Sequence, residues 1–555
     1  MGYVVGDYLL DRLHELGVTE IFGVPGDFNL QFLDHVVAHP RIRWVGSANE
    51  LNAGYAADGY ARLRGIGAVV TTYGVGELSA VNAIAGSYAE HVPVVHIVGV
   101  PAKDIQANHR VIHHTLGDGD FHHFRRIAAE VTCAQADLGA ADACPEIDRV
   151  LNSVRVHRRP GYLMLATDTA RMEVDRPAAP LAPPADFSSA GAREAFEAAA
   201  RAFLTGRRVT VLADVFADRV GATDELRELL STRKLPHATL AWGKTLVDES
   251  EPNFLGVYTG AASPEAVRAG VEDAERLVIV GVQYTDSTTA GFSHRIDARR
   301  TIDIGPERTV IGGVDTFAPL SLPAALAILA RISGEFAAPA PTPAIAKVMP
   351  TVEAKADAPL TQATLWPIVA EALGNSNIVV ADQGTAFFGL ATLRMPTGIT
   401  FLGQPLWGSI GYALPAALGA GLACPDRRAV LVIGDGAAQL SIQELGTWIR
   451  ERVHGVIILV DNSGYAIERA IHGPAAAYND IAPWRWDELP RAFGGDDDSV
   501  LTLRATTVGE LRDCVRAATD AQDRLVFLRV VTGATDYPPL VSDIAAALTR
   551  ANTAS

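Results

Sequence analysis

The sequence predicts an α/β protein made of three doubly wound parallel-sheet domains in series. Three observations carry that prediction. At 555 residues the chain is too long for one hydrophobic core and has room for about three of ordinary size. Short β-rich apolar runs alternate along it with stretches of helical periodicity, the rhythm of parallel strands joined by crossover helices. Two Pro/Ala-rich stretches, poor formers of helix or sheet, divide that rhythm into three blocks.

The first block is assigned to residues 1–172. It opens on VGDYLLDRLHELGV, where Leu9, Leu13 and Leu16 recur at helical spacing and Gly17 stands as a stop. The runs TEIFGV, IRWVGSA, GAVVTTYG and VPVVHIVG read as strands, with helical stretches such as Leu51–Leu63 and Glu77–Ala89 between them. A linker is placed over 173–194, which takes in most of RMEVDRPAAPLAPPADF and the residues just after it. The middle block, 195–335, has RRVTVLADV and ERLVIVGVQ as its clearest strands. The stretch FAAPAPTPAIAKVMP opens a second linker, 336–359. The last block, 360–555, carries the strands NIVVADQG, RRAVLVIGDG, HGVIILVDN and DRLVFLRVV.

Composition narrows the function class. Apolar residues make up 48% of the chain and charged residues 20%, which suits packed cores rather than disorder. The net charge of −17, with no run of Lys or Arg, disfavours electrostatic binding of nucleic acid. Cys133, Cys144, Cys424 and Cys514 lie far apart without CxxC spacing, so neither a zinc site nor a disulfide framework is signalled. Without a basic leader or a long apolar run, the expected location is the cytoplasm.

The sharpest chemical signal is Gly434-Asp435-Gly436 at the end of one apolar strand and Asn462 at the end of the next. Ligands of open α/β sheets bind at the carboxyl ends of strands, where both fall. Asp435 offers a hard anionic oxygen and Asn462 a neutral one, which suits Mg²⁺ when phosphates supply further ligands. Gly464 is free to turn its carbonyl inward, and a helix starting near Ala438 is expected to aim N–H groups at a diphosphate. Three similar motifs are set aside as turns. Gly117-Asp118-Gly119 has no Asn at the matching distance. The run from Tyr73 to Ser79 has Ser at the third glycine position of a dinucleotide loop. Gly243-Lys244-Thr245 lacks the upstream glycine of a phosphate-binding loop.

With these residues in view, the chain resembles the thiamine-diphosphate enzymes, whose signature is GDG followed some two dozen residues later by Asn. The resemblance extends to GVPGDFNLQFLD, NELNAGYAADGYAR, HHTLGDGDF, ADQGTAFFG, QPLWGSIGY and YAIERAIHG. These are similar to the pyruvate, indolepyruvate and branched-chain 2-keto acid decarboxylases, above all to broad-range actinobacterial ones. The resemblance implies non-oxidative decarboxylation of 2-keto acids to aldehyde and CO₂ through the ylide of thiamine diphosphate, with Mg²⁺ as metal. It further implies a homodimer at least, in the usual case a homotetramer, with a small 2-oxo acid as partner and neither nucleic acid nor membrane.

Residue by residue, the resemblance implies that Asp435, Asn462 and the Gly464 carbonyl hold the metal, with Gly434 and Gly436 beside the diphosphate. Glu50 hydrogen-bonds the pyrimidine and promotes loss of the thiazolium proton. Ile410 props the bent cofactor, and the Gly408 carbonyl accepts from its exocyclic amine. Asp27, His113, His114 and Glu468 move protons; His122-His123 is a competing pair outside the family pattern. Gln383, Phe387, Phe388 and Ile467 line the substrate pocket, and a Phe at 387 is expected to favour branched and phenyl-bearing acids over an indole. Departures from the pattern are Phe28 for Tyr, Asp461 for the first Asn of an Asn pair, and Ala466 for Thr. Two other readings stay open: carboligation of the acetolactate-synthase kind, and a catalytically silent nucleotide-binding α/β protein.

Overall fold

The computed structural model describes residues 2–339 and 352–553, which contain three sheets in chain order. The first sheet holds β1 (Glu20–Gly23), β2 (Arg43–Gly46), β3 (Gly67–Thr72), β4 (Val94–Val100), β5 (Ala134–Asp137) and β6 (Gly161–Ala166). The second holds β7 (Val209–Ala213), β8 (His237–Thr239), β9 (Phe254–Val257), β10 (Arg276–Val280), β11 (Thr301–Ile304), β12 (Thr309–Ile311) and β13 (Asp315–Phe317). The third holds β14 (Ile378–Ala381), β15 (Thr400–Leu402), β16 (Ala429–Gly434), β17 (Val456–Asp461), β18 (Val500–Ala505) and β19 (Leu525–Val531).

The first sheet runs β2-β1-β3-β4-β6-β5 and the third β15-β14-β16-β17-β19-β18, the same winding repeated. Every pairing in both is parallel. In the first sheet the central strands β3, β4 and β6 are buried along their whole length, as strands covered by helices on both faces must be. The middle sheet departs from the expected all-parallel form. It runs β13-β12-β11-β10-β7-β8-β9, and β12 and β13 are antiparallel to their neighbours. The residues between β11 and β12 and between β12 and β13 are too few for a crossover, so the chain can only turn back.

The helix Ala190–Leu204 begins inside the stretch read as the first linker, capped by Ser189, whose side chain accepts from Ala192 N–H. Of the second linker, residues 340–351 lie outside the described residues.

Two contacts fasten the domains. Helices Glu50–Arg64 and Ala413–Ala423 cross so closely that a Cβ on Gly59 would lie 2.1 Å from the Ala416 carbonyl oxygen. A Cβ on Gly419 would lie 1.9 Å from that of Ala56. Only glycine fits at either place. Elsewhere Lys244 Nζ donates to Glu249 (2.9 Å) and to the Leu393 carbonyl (2.6 Å), both side chains being almost fully buried. Thr245 Oγ1 accepts from Phe401 N–H. The Gly243-Lys244-Thr245 motif thus ties the middle domain to the third.

Candidate active site

The carboxyl ends of β16 and β17 stand side by side because those strands pair in parallel register, and this brings Asp435 and Asn462 together. Asp435 is buried. Its Oδ1 accepts from Gly436 N–H (2.7 Å) and its Oδ2 from the N–H groups of Asn462 and Gly464, both at 3.2 Å. Gly464 has φ +134°, and a Cβ there would meet the Asn479 carbonyl oxygen at 2.1 Å, so the residue is restricted to glycine. Burial, followed by the neighbouring Asp461 carboxylate, pushes the Asp435 carboxyl up to about 7, against the pull of its backbone donors.

One end of the Asn462 side-chain amide lies 3.1 Å from Asp435 Oδ1 and 2.9 Å from the Gly464 carbonyl oxygen. With its nitrogen turned to them the amide donates to both, and with its oxygen turned to them it completes a set of three acceptors that a cation would reconcile. Oxygens at neighbouring corners of an octahedron with metal–oxygen bonds of about 2.1 Å lie about 3.0 Å apart, so both spacings match edges of a Mg²⁺ shell.

The helix expected from near Ala438 is corrected. A single turn, Asp435–Ala438, begins at Asp435 itself and is followed by the short 3₁₀ turn Ile442–Glu444. So short a segment carries no sizeable macrodipole and offers only its free N–H groups.

Above the triad lies a cavity of about 240 Å³. Gly408, Ile410, Gly434, Gly436, Asn462 and Gly464 contribute to one part of its wall, and Gln383, Phe388, Ile467 and Glu468 to another. Gln383 Oε1 is buried there without a partner. Phe387 does not line this cavity: it is 1% exposed, packed on Phe401 with ring centroids 5.6 Å apart and against Gly403. In the helix Thr385–Ala391 Phe387 lies about 100° round from Phe388, which turns its ring to Phe401 and Gly403 while Thr385, Ala386 and Phe388 meet the cavity.

Sequence reasoning missed several residues here. Ser287 of the middle domain lines the cavity and donates to the Pro405 carbonyl (2.9 Å). The C-terminal helix Pro539–Thr553 closes one side with Val541 and Ile544. The 404–413 loop is held from both flanks. Asp382 accepts from Gly411 N–H (3.1 Å) and Ala413 N–H (3.0 Å), and burial raises its carboxyl to about 7. Glu90 of the first domain accepts from the N–H groups of Leu406 (3.0 Å) and Trp407 (3.2 Å). A charged residue in so apolar a run as VVADQG was the available signal for Asp382.

The remaining predicted residues gather at the carboxyl end of the first sheet. His113 Nε2 is 2.7 Å from Asp27 Oδ2, and His114 Nε2 is 4.0 Å from Oδ1. Phe28 stacks on His113, with centroids 5.0 Å apart and planes 17° apart, and meets His114 edge-on. Glu50 opens the helix Glu50–Arg64 behind the Asn49 cap, and its Oε1 would lie 3.2 Å from a Cβ on Gly76. The Tyr73–Ser79 run is a capped helix start: Gly74 N–H donates to Glu77 Oε1 (2.8 Å). A Cβ on Gly74 would lie 2.1 Å from the His114 carbonyl oxygen. His122 and His123 point instead to Asp137 and Asp118. The wall of the 240 Å³ cavity draws on the middle and third domains, whereas the Asp27, Glu50, His113 and His114 group belongs to the first. His113 is 59% exposed and Asp27 48%, so these two side chains open to the surface, while Glu50 and His114 are half-buried.

Comparison with known proteins agrees with this geometry. Residues 4–123 match the thiamine pyrophosphate enzyme N-terminal TPP binding domain, 196–331 the central domain and 382–530 the C-terminal TPP binding domain. The chain is 57% identical over 547 residues to an alpha-keto-acid decarboxylase of Mycobacterium ulcerans (strain Agy99), covering 98% of this chain and 96% of that one. It is 56% identical over 549 residues to one of Mycobacterium leprae (strain TN), covering 99% and 95%. It is 57% identical over 543 residues to one of Mycobacterium tuberculosis (strain ATCC 25618 / H37Rv), covering 98% and 96%. Three domain matches in the family's order and near-complete coverage of these relatives lead to one assignment: the chain belongs to the thiamine pyrophosphate enzyme family, in its alpha-keto-acid decarboxylase group.

Proposed function

We propose that this enzyme decarboxylates branched-chain and aromatic 2-keto acids to aldehyde and CO₂, with thiamine diphosphate and Mg²⁺. The observation that carries the reading is the meeting of the Asp435 carboxylate, the Asn462 amide and the Gly464 carbonyl on the floor of a largely apolar cavity. Bound thiamine diphosphate supplies a nucleophilic carbon and an electron sink, which is what loss of CO₂ from a 2-oxo acid requires.

The protein's own residues do the rest. Asp435, Asn462 and the Gly464 carbonyl hold the metal, and Gly434 and Gly436 leave room for a diphosphate against the backbone. Glu50 hydrogen-bonds the pyrimidine ring, the Gly408 carbonyl accepts from its amine, and Ile410 supports its bend. Asp27, His113, His114 and Glu468 hold and deliver the proton that the product carbon gains. Phe388, Ile467 and Ile544 exclude water from the cavity, and Gln383 Oε1 awaits a donor.

Each active site is completed across two subunits, because Asp27 and His113 of the first domain open to the surface while the cavity lacks a first-domain wall. A homodimer is therefore the smallest working unit, and a homotetramer is a pair of these. The four cysteines are free, which suits the reducing cytoplasm. Among the described residues no helix is long and apolar enough to cross a membrane.

The direct test is CO₂ and aldehyde release from a panel of 2-oxo acids, with and without thiamine diphosphate and Mg²⁺. Aldehyde from branched and phenyl-bearing acids, dependent on both, is the expected result. A 2-hydroxyketone would point to ligation, and no turnover of any acid would point to a silent relative.

A further inference from the structure

Asp461 ends β17 immediately before Asn462. Its Oδ2 accepts from Arg529 twice, from Nε at 2.8 Å and from Nη2 at 2.6 Å. Arg529 lies on the neighbouring strand β19, and its Nη1 donates to Asp487 Oδ2 at 2.7 Å. The three side chains are mostly shielded: Asp461 is 12% exposed, Arg529 19% and Asp487 36%. Strand pairing fixes the arrangement. Leu459 is the register partner of Arg529 and Asp461 that of Val531, so Arg529 reaches Asp461 along the diagonal of one sheet face.

A second carboxylate thus stands beside Asp435, at a position where an uncharged amide would serve the same backbone. It is one residue from a proposed metal ligand, yet it is turned toward Arg529, which it shares with Asp487. A planar guanidinium gripping one carboxylate oxygen through two donors fixes the direction of that group, and shared between two carboxylates it offsets only part of their charge. Resting on the metal reading above, we infer that Asp461 is an outer-shell carboxylate of the divalent-cation site, and that Arg529 sets the affinity and selectivity of that site by restraining it. Asp461 and Arg529 are positioning residues in this scheme. Held by Arg529, Asp461 adds negative potential without entering the shell, and the site keeps the small octahedral geometry that suits Mg²⁺. Released, it becomes a mobile extra oxygen ligand, the kind of addition that Ca²⁺ with its six to eight ligands accepts and Mg²⁺ does not.

The test is calorimetric titration of metal-free enzyme, saturated with thiamine diphosphate, with Mg²⁺ and separately with Ca²⁺. Asp461→Asn should weaken both cations by about tenfold, the usual scale for outer-shell partners. Arg529→Met should act in the opposite sense, tightening Ca²⁺ more than Mg²⁺ and so shifting the ratio of the two constants. Thermal unfolding of the metal-free proteins serves as the control for folding. If both variants lose thermal stability while both constants stay within twofold of wild type, the Asp461–Arg529 pair only ties β17 to β19 and the inference is overturned. A wild-type enzyme that takes up no divalent cation with the cofactor would instead overturn the metal reading itself, and the inference with it.

Discussion

One end of the Asn462 side-chain amide stands 3.1 Å from Asp435 Oδ1 at the joined ends of two parallel strands. With its nitrogen turned there the amide donates to the carboxylate, and with its oxygen turned there the two form a pair of ligands for a divalent cation. Asp435→Ala removes the one anionic ligand of the proposed triad. That variant should retain almost no thiamine diphosphate after desalting, measured as cofactor per chain, and chelation of wild type should have the same effect. Cofactor retained at the wild-type level would show that the diphosphate is anchored elsewhere.

Glu50→Gln keeps a side chain of the same shape but a poorer partner for a protonated ring nitrogen. Cofactor binding should change little while kcat falls by roughly 10²–10⁴, the usual worth of a positioned acid or base. On the proposed site shared between two subunits, mixing the two inactive variants should restore part of the activity. Confirmed subunit exchange without recovery would place both halves of the site in one chain.

The two adjacent phenylalanines should behave differently. Phe388→Ala widens the cavity wall and should improve relative efficiency on indolepyruvate over 4-methyl-2-oxopentanoate by about tenfold or more. Phe387→Ala hollows the core beside Phe401 and should cost about 3–5 kcal/mol of stability instead. Steady-state kinetics and denaturant unfolding on both variants separate the outcomes, and equal substrate profiles would remove Phe388 from the pocket.

Glu77 links pH to stability. Burial lifts its carboxyl to about 7 from an ordinary 4.5, although Tyr162 OH (2.6 Å) and Gly74 N–H donate to it. The fold favours its protonated form, so its contribution is fully present below about 4.5 and is lost as pH rises through about 7. The loss is on the order of 3 kcal/mol. Glu77→Gln carries no titrating proton there, and its unfolding temperature should fall less than that of wild type between pH 5 and pH 8, on the order of a few degrees. Parallel pH profiles for the two proteins would contradict this.

Much of this molecule was legible in the order of its residues. Continuous apolar runs such as AVVTT and AVLVIG announced buried parallel strands, because such strands are covered on both faces and tolerate few polar side chains. The strand-end motif at Asp435 and Asn462 was legible for a related reason: parallel neighbours deliver the residues after their last rungs to one place. What the order of residues could not reveal depends on approach between distant segments. The grip of Glu90 and Asp382 on the 404–413 loop, the entry of Ser287 and Ile544 into the cavity wall, and the turn of Asp461 toward Arg529 have no local signature. Phe387 and Phe388 make the point at its smallest scale. Adjacent and chemically identical, they are separated only by the rotation of a helix against its neighbours, which puts one ring in the core and the other in the cavity wall. That rotation is decided by packing with residues far along the chain, and so by the tertiary structure alone.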